Sequence, residues 1–281
     1  MPGTLHLVAT PIGNLEDITL RALRVLREVS LVVAEDTRRT AKLLTHFGIS
    51  TSVLSYHEHN AHGRMPRILG RLHLEDDVAI VTDAGTPGIS DPGAELVQAC
   101  VEAGIPVNPV PGVSAPLAAA IVSGFPLVPL TFYGFAPHRS KDRNEWLAMI
   151  GETQHTFCFF EAPTRIAATI GQMGELWPSR QVLVARELTK VHQQLVRGTP
   201  AEARAQLTVQ RGEFTIVVAP AVSVDTPAEA VPDSDVVAMF RRLTENGAVS
   251  RRDAIAAVAR ACHKPSREVY AAVERAKTSV E

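Results

Sequence analysis

From residue 5 to residue 123, short apolar runs alternate with stretches whose apolar residues recur every three or four positions. Strands feeding helices in a largely parallel sheet produce this pattern. Strands are predicted at 5–9, 31–34, 53–56, 78–82 and 107–110. Between them Ile18, Leu20, Leu23, Leu26 and Val29 share a helical face, as do Leu43, Leu44 and Phe47, and Leu96, Cys100 and Val101. The alternation pauses at Phe125-Pro126-Leu127-Val128-Pro129, because two prolines in five residues break both a helix and a central strand. A second set follows, with strands at 131–134, 155–160, 181–186, 194–197 and 214–218 and helices near 143–150, 165–177 and 200–206. The pattern predicts two α/β domains, 1–124 and 125–220. A run rich in Ala, Pro and acid then reads as an extended linker over 221–232. Residues 233–281 read as a small helical domain. In it Ser250-Arg251-Arg252-Asp253 opens a helix to Cys262 with a capping-box pattern, and Ser266 caps another ending near Lys277.

The chain has 281 residues, 46% hydrophobic and 21% charged, so each domain can bury a core without disulfides or metal. Its longest apolar runs are strand-length, far below the roughly 20 residues of a membrane helix, and no membrane partner is expected. No basic segment leads into an apolar one with a cleavage site near Met1, so a cytoplasmic location is expected. Cys100, Cys158 and Cys262 are odd in number and lack metal or redox spacing; they read as buried small hydrophobes. A net charge of −2 gives no global attraction to a polyanion, which must meet a local patch instead. Two such patches exist: His138-Arg139-Ser140-Lys141 with Arg143, and residues 241–277, where nine Lys/Arg face four Asp/Glu.

Three loops follow strand ends in the first domain, where α/β folds bind ligands. The first, Thr10-Pro11-Ile12-Gly13-Asn14-Leu15-Glu16-Asp17, is a tight turn that leads main-chain groups along an unusual path. It lacks both G-x-G-x-x-G and G-x-x-x-x-G-K-[ST], so dinucleotide and P-loop readings fall away. The second, Thr82-Asp83-Ala84-Gly85-Thr86-Pro87-Gly88-Ile89-Ser90-Asp91-Pro92-Gly93, exceeds the roughly two to six residues of a minimal connection and has the look of a binding loop. The third, Pro111-Gly112-Val113-Ser114-Ala115, turns a strand into a helix, with Ser114 either a ligand contact or an N-cap. Three special turns at one sheet edge point to a small-molecule pocket.

Around that edge, Glu35-Asp36-Thr37-Arg38-Arg39 either holds a substrate or starts and decorates a helix. Tyr56-His57-Glu58-His59-Asn60 invites a metal reading, but two histidines make half a zinc shell and no Cys or His cluster completes it, so no metal is expected. An aromatic ring, two imidazoles and an amide suit a single-stranded nucleotide better. There is no G-x-S-x-G nucleophile elbow.

Taken in order, Ala9-Thr10-Pro11-Ile12-Gly13-Asn14-Leu15-Glu16-Asp17, Ala34-Glu35-Asp36-Thr37-Arg38, Ser55-Tyr56-His57-Glu58-His59-Asn60, Asp83-Ala84-Gly85-Thr86-Pro87 and Pro111-Gly112-Val113-Ser114-Ala115 resemble the ribosomal RNA branch of the tetrapyrrole methylase superfamily. The likeness spans residues 5 to about 218 and continues more weakly in the tail. It implies two α/β domains with S-adenosylmethionine in the cleft between them, a homodimer, and 2′-O-methylation of a cytidine in 16S rRNA of the small ribosomal subunit. Carried over by position, the donor should meet Ile12, Asp83, Gly85, Thr86, Pro87, Ile89, Ser114 and Ala115, with Phe160, Glu161, Glu187 and Leu188 closing over it. Many related enzymes have Gly-Asp-Pro where this chain has Gly85-Thr86-Pro87, a departure that fits the ribosomal branch and argues against tetrapyrrole substrates. The chain also reads Glu161-Ala162-Pro163-Thr164-Arg165 where the superfamily commonly has Glu-Ser-Pro-His-Arg, so no role for that Ser or His is available.

Methyl transfer to a ribose hydroxyl needs in-line geometry and removal of a weakly acidic proton. Asp36, Glu58 and Asp83 are candidates to take that proton, and Lys190 and Arg38 to orient a phosphate or acidify the hydroxyl. RNA contacts are expected from Arg38, Arg39, Tyr56, His57, His59, Arg139, Arg251 and Arg252. The tail charge either meets phosphates or is a solvated face. Two rival functions stay open: a methyltransferase acting on a corrin-like precursor, which would need a wide apolar trough, and a non-catalytic nucleotide- or RNA-binding module.

Overall fold

The computed structural model describes residues 2–90, 93–221, 232–244, 250–262 and 264–278. Asp91, Pro92 and most of the linker expected at 221–232 lie outside them. Two compact units are present, Met1–Val222 and Ser223–Glu281.

The first unit begins with β1 (Leu5–Val8), α1 (Leu20–Glu28), β2 (Leu31–Ala34), α2 (Thr37–His46), β3 (Val53–Ser55), α3 (Ala61–His73), β4 (Val78–Val81), α4 (Ala94–Glu102), β5 (Val107–Val110) and α5 (Ala115–Ile121). The strands make one parallel sheet in the order β3-β2-β4-β1-β5. Every residue of β2 and β4 is buried, as central strands with both faces covered require. Pro109 can sit in β5 because that strand is an edge. The chain leaves β1 toward β2 but leaves β4 toward β5, on the other side of β1. The loops after the neighbouring strands β1 and β4 therefore depart in opposite directions, and such a switch point opens a crevice.

Apolar spacing does not predict α3, because Gly63, Pro66 and Gly70 interrupt it. Burial of Ala61, Ile68 and Leu72 against the sheet core overrides that poor propensity.

A second sheet of the same unit comprises β6 (Leu130–Phe135), β7 (Thr156–Glu161), β8 (Val182–Arg186), β9 (Gln194–Gly198) and β10 (Phe214–Val218), in the order β6-β7-β10-β8-β9. Helices α6 (Ser140–Gly151), α7 (Ile166–Leu176) and α8 (Pro200–Gln206) accompany it. Only β6 and β7 run parallel; β10 is antiparallel to both its neighbours. One face packs Leu147, Ile150, Ile170 and Met173 against Phe157, Phe159 and Ile216. The other receives α5 from the first sheet: Ala119 is fully buried with Cys158, Leu183, Ala185 and Val217. That contact fixes the carboxyl edge of the first sheet against the second. All three cysteines are buried and free.

The second unit holds α9 (Asp233–Thr244), α10 (Arg251–Ala261) and α11 (Ser266–Thr278) around Val236, Phe240, Ala254, Val258, Val269 and Val273. Of the capping box expected before α10, the half in which Asp253 N donates to Ser250 Oγ is present, at 3.2 Å, while the Asp253 carboxylate accepts from the Ser250 hydroxyl at 2.7 Å instead of from its backbone amide. Much of the tail charge is paired: Asp233 meets Arg275 at 2.6 Å and Lys264 at 3.8 Å, and Arg251 pairs with Glu274. No helix among the described residues is long and apolar enough to cross a membrane.

Candidate active site

The three loops after β1, β4 and β5 are laced together by their own main chain. Thr10 and Gly85 exchange two backbone hydrogen bonds of 2.9 and 3.0 Å, and Thr86 Oγ1 donates to Val113 O at 3.3 Å. Gly85 is needed there, since its φ of +85° lies in the left-handed region that a side chain disfavours. The second sheet locks onto the first loop through the turn after β8. Asn14 N donates to Thr189 Oγ1 at 3.1 Å, and a Cβ on Gly13 would lie 2.4 Å from Lys190 Cγ and 2.9 Å from Leu188 O.

Between these loops and the second sheet lies a cavity of about 310 Å³. Its walls include Ile12, Arg39, Asp83, Gly85, Thr86, Ile89, Ser114 and Ala115 from the first half, and Phe160 and Glu161 from the second. Ser114 stands at the N-cap position of α5 and lines the cavity, but its side chain makes no capping hydrogen bond. The sequence reading missed Ser90, Phe135, Ala162, Pro163, Gly212, Glu213, Phe214 and Thr215. The Arg211-Gly212-Glu213 turn before β10 carried a signal in its glycine, whose φ is +95°. Only the antiparallel placement of β10, invisible in a strand's own residues, brings it to the cleft.

Pro87, Glu187 and Leu188 do not line this cavity. Glu187 stands behind its wall, accepting from Glu213 N at 2.9 Å and pairing with Lys190 at 2.8 Å; Leu188 packs on the core beside α5. Burial works against the Glu187 carboxylate, but the Lys190 ammonium and Glu213 amide outweigh it and hold its pKa below the ordinary value. Burial likewise opposes the Lys190 ammonium, and Glu187 and Glu213 outweigh it, so its pKa is raised.

Glu161 shows why the motif at 161–165 keeps its Glu and Arg. Its side chain is fully buried, and Oε1 accepts from Ala162 N at 2.6 Å and from Arg165 Nε at 2.9 Å, with Arg165 Nη2 at ion-pair distance, 2.7 Å. Oε2 accepts from the Thr169 hydroxyl at 2.5 Å. A buried carboxylate so fully engaged holds the Ala162-Pro163 wall in place, and removing one partner of such a pair costs about 3–5 kcal/mol.

Of the carboxylates considered for proton removal, only Asp83 lines the cavity. Its Oδ2 lies 3.3 Å from Arg39 Nη1, and its Oδ1 accepts from Asp36 N at 3.1 Å. Asp36 instead caps α2, where hydrogen bonds from the Arg38 side chain and backbone lower its carboxyl to about 2. Such a group is a poor base. Arg38 is spent on the same pair and points into solvent. Glu35 beside them has its pKa raised, by burial first and then by Asp83. Glu58 is exposed in the turn after β3.

Tyr56 corrects one expectation. It is only 2% exposed and its ring packs in the first-sheet core with Leu31, Ile68 and Leu96, so it offers no face to a base. The strand predicted over 53–56 ends at Ser55, and His57 and His59 lie in the segment that turns after it. Their rings meet edge to face at 6.0 Å. Asn60 Oδ1 accepts from His57 N at 2.9 Å and fixes that turn. Arg139 precedes α6, and Arg251 stacks over Tyr270 at 5.5 Å while Arg252 is exposed; the last two belong to the second unit. Among the described residues no group of three or more His, Cys, Asp or Glu is placed to hold a metal.

Residues 4–204 match the family of tetrapyrrole (corrin/porphyrin) methylases. A protein of Synechocystis named ribosomal RNA small subunit methyltransferase I is 44% identical over 271 residues, covering 95% of this chain and 96% of that protein. One of the same name from Halalkalibacterium halodurans is 45% identical over 218 residues, 77% of this chain and 75% of that protein. Among solved structures, diphthine synthase has a TM-score of 0.61 at 13% identity, covering 77% of this chain and 90% of that one. Uroporphyrin-III C-methyltransferase of Thermus thermophilus, complexed with S-adenosyl homocysteine, has a TM-score of 0.55 at 20% identity, covering 76% and 97%.

Proposed function

We propose, from the premise that this chain belongs to the tetrapyrrole methylases and within them to the ribosomal RNA small subunit methyltransferase I family, that it methylates the 2′-oxygen of a cytidine ribose in 16S rRNA. The chain is an S-adenosylmethionine-dependent ribosomal RNA methyltransferase. The observation that carries the finer reading is the cavity at the switch point, where apolar walls and hydroxyls stand beside the Asp83 carboxylate.

The residues present suit the donor. Ile12, Ile89, Phe135 and Phe160 offer an apolar slot for an adenine, Ser90 and Ser114 offer hydroxyls, and Asp83 and Glu213 place negative charge where a sulfonium would be drawn. When bound, S-adenosylmethionine supplies a methyl group activated by positive sulfur. Gly85 and Gly212 keep two walls free of side chains, and Glu161 keeps a third rigid through Arg165 and Thr169. Such preorganisation lets proximity supply several kcal/mol of a transfer barrier. Asp83 is the carboxylate positioned to take the hydroxyl proton as the ribose oxygen gains its methyl.

The acceptor is read as the small ribosomal subunit, in the cytoplasm, met by Arg39, His57, His59 and Arg139 and by phosphate contacts from Arg252 in the helical unit. A homodimer is also proposed. Supporting it, Leu117 and Ile121, one turn apart on α5, are 57% and 72% exposed and form an adjacent apolar pair on the surface. Incubating the protein with radiolabelled donor and undermethylated small subunits tests the function. Label should appear in 16S rRNA and, after digestion, in 2′-O-methylcytidine. Label in a tetrapyrrole alone, or none in RNA, would overturn it.

A further inference from the structure

A second cavity, about 170 Å³, lies across the Asp83–Arg39 pair from the first, and those two residues line both. Its other walls come from the first loop, the first turns of α2 and the start of the second loop, notably Thr10, Thr40, Lys42 and Thr82. The volume falls below the roughly 300 Å³ at which pockets for whole drug-sized ligands begin, a size for a sugar and phosphate without their base.

Its chemistry is that of an anion and hydroxyl site. Arg39 and Lys42 supply two cations, and no carboxylate among the described residues pairs with Lys42. Thr40 is 4% exposed, yet its hydroxyl has no hydrogen-bond partner among the described residues. An uncommitted hydroxyl on a cavity wall can donate to or accept from a polar group that enters it. Thr10 Oγ1, by contrast, is spent on Thr82 O at 3.1 Å and helps build the wall.

We propose that this cavity is the acceptor subsite, holding the ribose-phosphate of the target nucleotide: Lys42 and Arg39 take the phosphate, Thr40 a sugar or phosphate oxygen, and the shared Asp83 faces the ribose. This rests on the RNA-methylating function above and assigns its second substrate a place. Donor and acceptor then approach one carboxylate from its two sides. The base stays outside the cavity, near the turn that carries His57 and His59.

Lys42→Ala and Thr40→Val, made in the full chain, test it. S-adenosylhomocysteine affinity is measured by calorimetry and KM by label transfer to undermethylated small subunits. Both variants should keep donor affinity within about twofold, while KM for the subunit rises about tenfold for Lys42→Ala, whose salt slope falls by about one unit. Thr40→Val keeps shape and removes only the hydroxyl, and its thermal unfolding checks that it folds. Unchanged KM and salt slope in a folded Lys42→Ala protein would overturn the subsite. Equal loss of donor affinity would overturn it too, since one cavity would then serve both substrates. If wild-type protein labels no RNA at all, the failure is that of the function and not of the subsite.

Discussion

The docking of the first loop on the second sheet can be broken with a single methyl group. Gly13→Ala places a Cβ 2.4 Å from Lys190 Cγ, 2.9 Å from Leu188 O and 2.9 Å from Thr189 Oγ1. The lysine can swing away, but the carbonyl cannot. It belongs to a tight turn in which Glu187 and Thr189 have φ of +52° and +65° and Thr189 N is tied to Gln193 Oε1 at 2.8 Å. Relief therefore requires the first loop to lift by about half an ångström, stretching the 3.1 Å bond from Asn14 N to Thr189 Oγ1. Overpacking costs about 1–3 kcal/mol and a lost hydrogen bond about 1 more, so urea unfolding should show a loss of about 2–4 kcal/mol. Ile12, one residue away, lines the cavity proposed for the donor, so calorimetry should show S-adenosylhomocysteine affinity reduced about tenfold or more. A Gly13→Ala protein with wild-type stability and donor affinity would refute the docking and the cleft built on it.

Other consequences are quicker to check. Gly63→Ala should stabilise the chain by about 0.5–1 kcal/mol in the same urea experiment, because the position is helical and a Cβ there meets nothing within 4 Å. The Asp36 carboxyl, held at about 2 mainly by hydrogen bonds from Arg38, is depressed in the folded state, so its contribution is complete above about pH 4 and lost as pH falls toward 2. The stability difference between wild type and Asp36→Asn should shrink over that window, and a difference that grows on acidification would contradict the pairing. Burial pushes the thiols of Cys100 and Cys158 up to about 11 and 12, so a thiol reagent at pH 8 should leave both unmodified until the chain unfolds.

The sequence marks the central strands well because strands buried on two faces are short apolar runs; 31–34 and 214–218 match the fully buried β2 and β10 residue for residue, and 107–110 matches the edge strand β5. It hides α3, where three helix breakers mask a face that burial selects. It hides strand direction too, so β10 and the Gly212-Glu213 wall reach the cleft unannounced. For the site, turn chemistry was legible: Gly85, Thr86, Ser114 and Ala115 all line the cavity. Charge was not, because a carboxylate's role depends on what it faces. Asp36, Asp83 and Glu161 look alike along the chain, yet one caps a helix, one faces two cavities and one is buried under a wall. Tyr56 misleads for the same reason, since an aromatic next to two histidines reads as a base platform until packing turns it inward.

Titration of S-adenosylhomocysteine into wild type and Ala115→Trp most directly tests the claim that the crevice between the two sheets holds the methyl donor. Ala115 lines the cavity at the start of α5, so an indole there would take up space in it. One site per chain in the wild type, abolished in an Ala115→Trp protein of unchanged melting temperature, is the expected result. Undiminished binding by that variant would place the donor elsewhere and contradict the account.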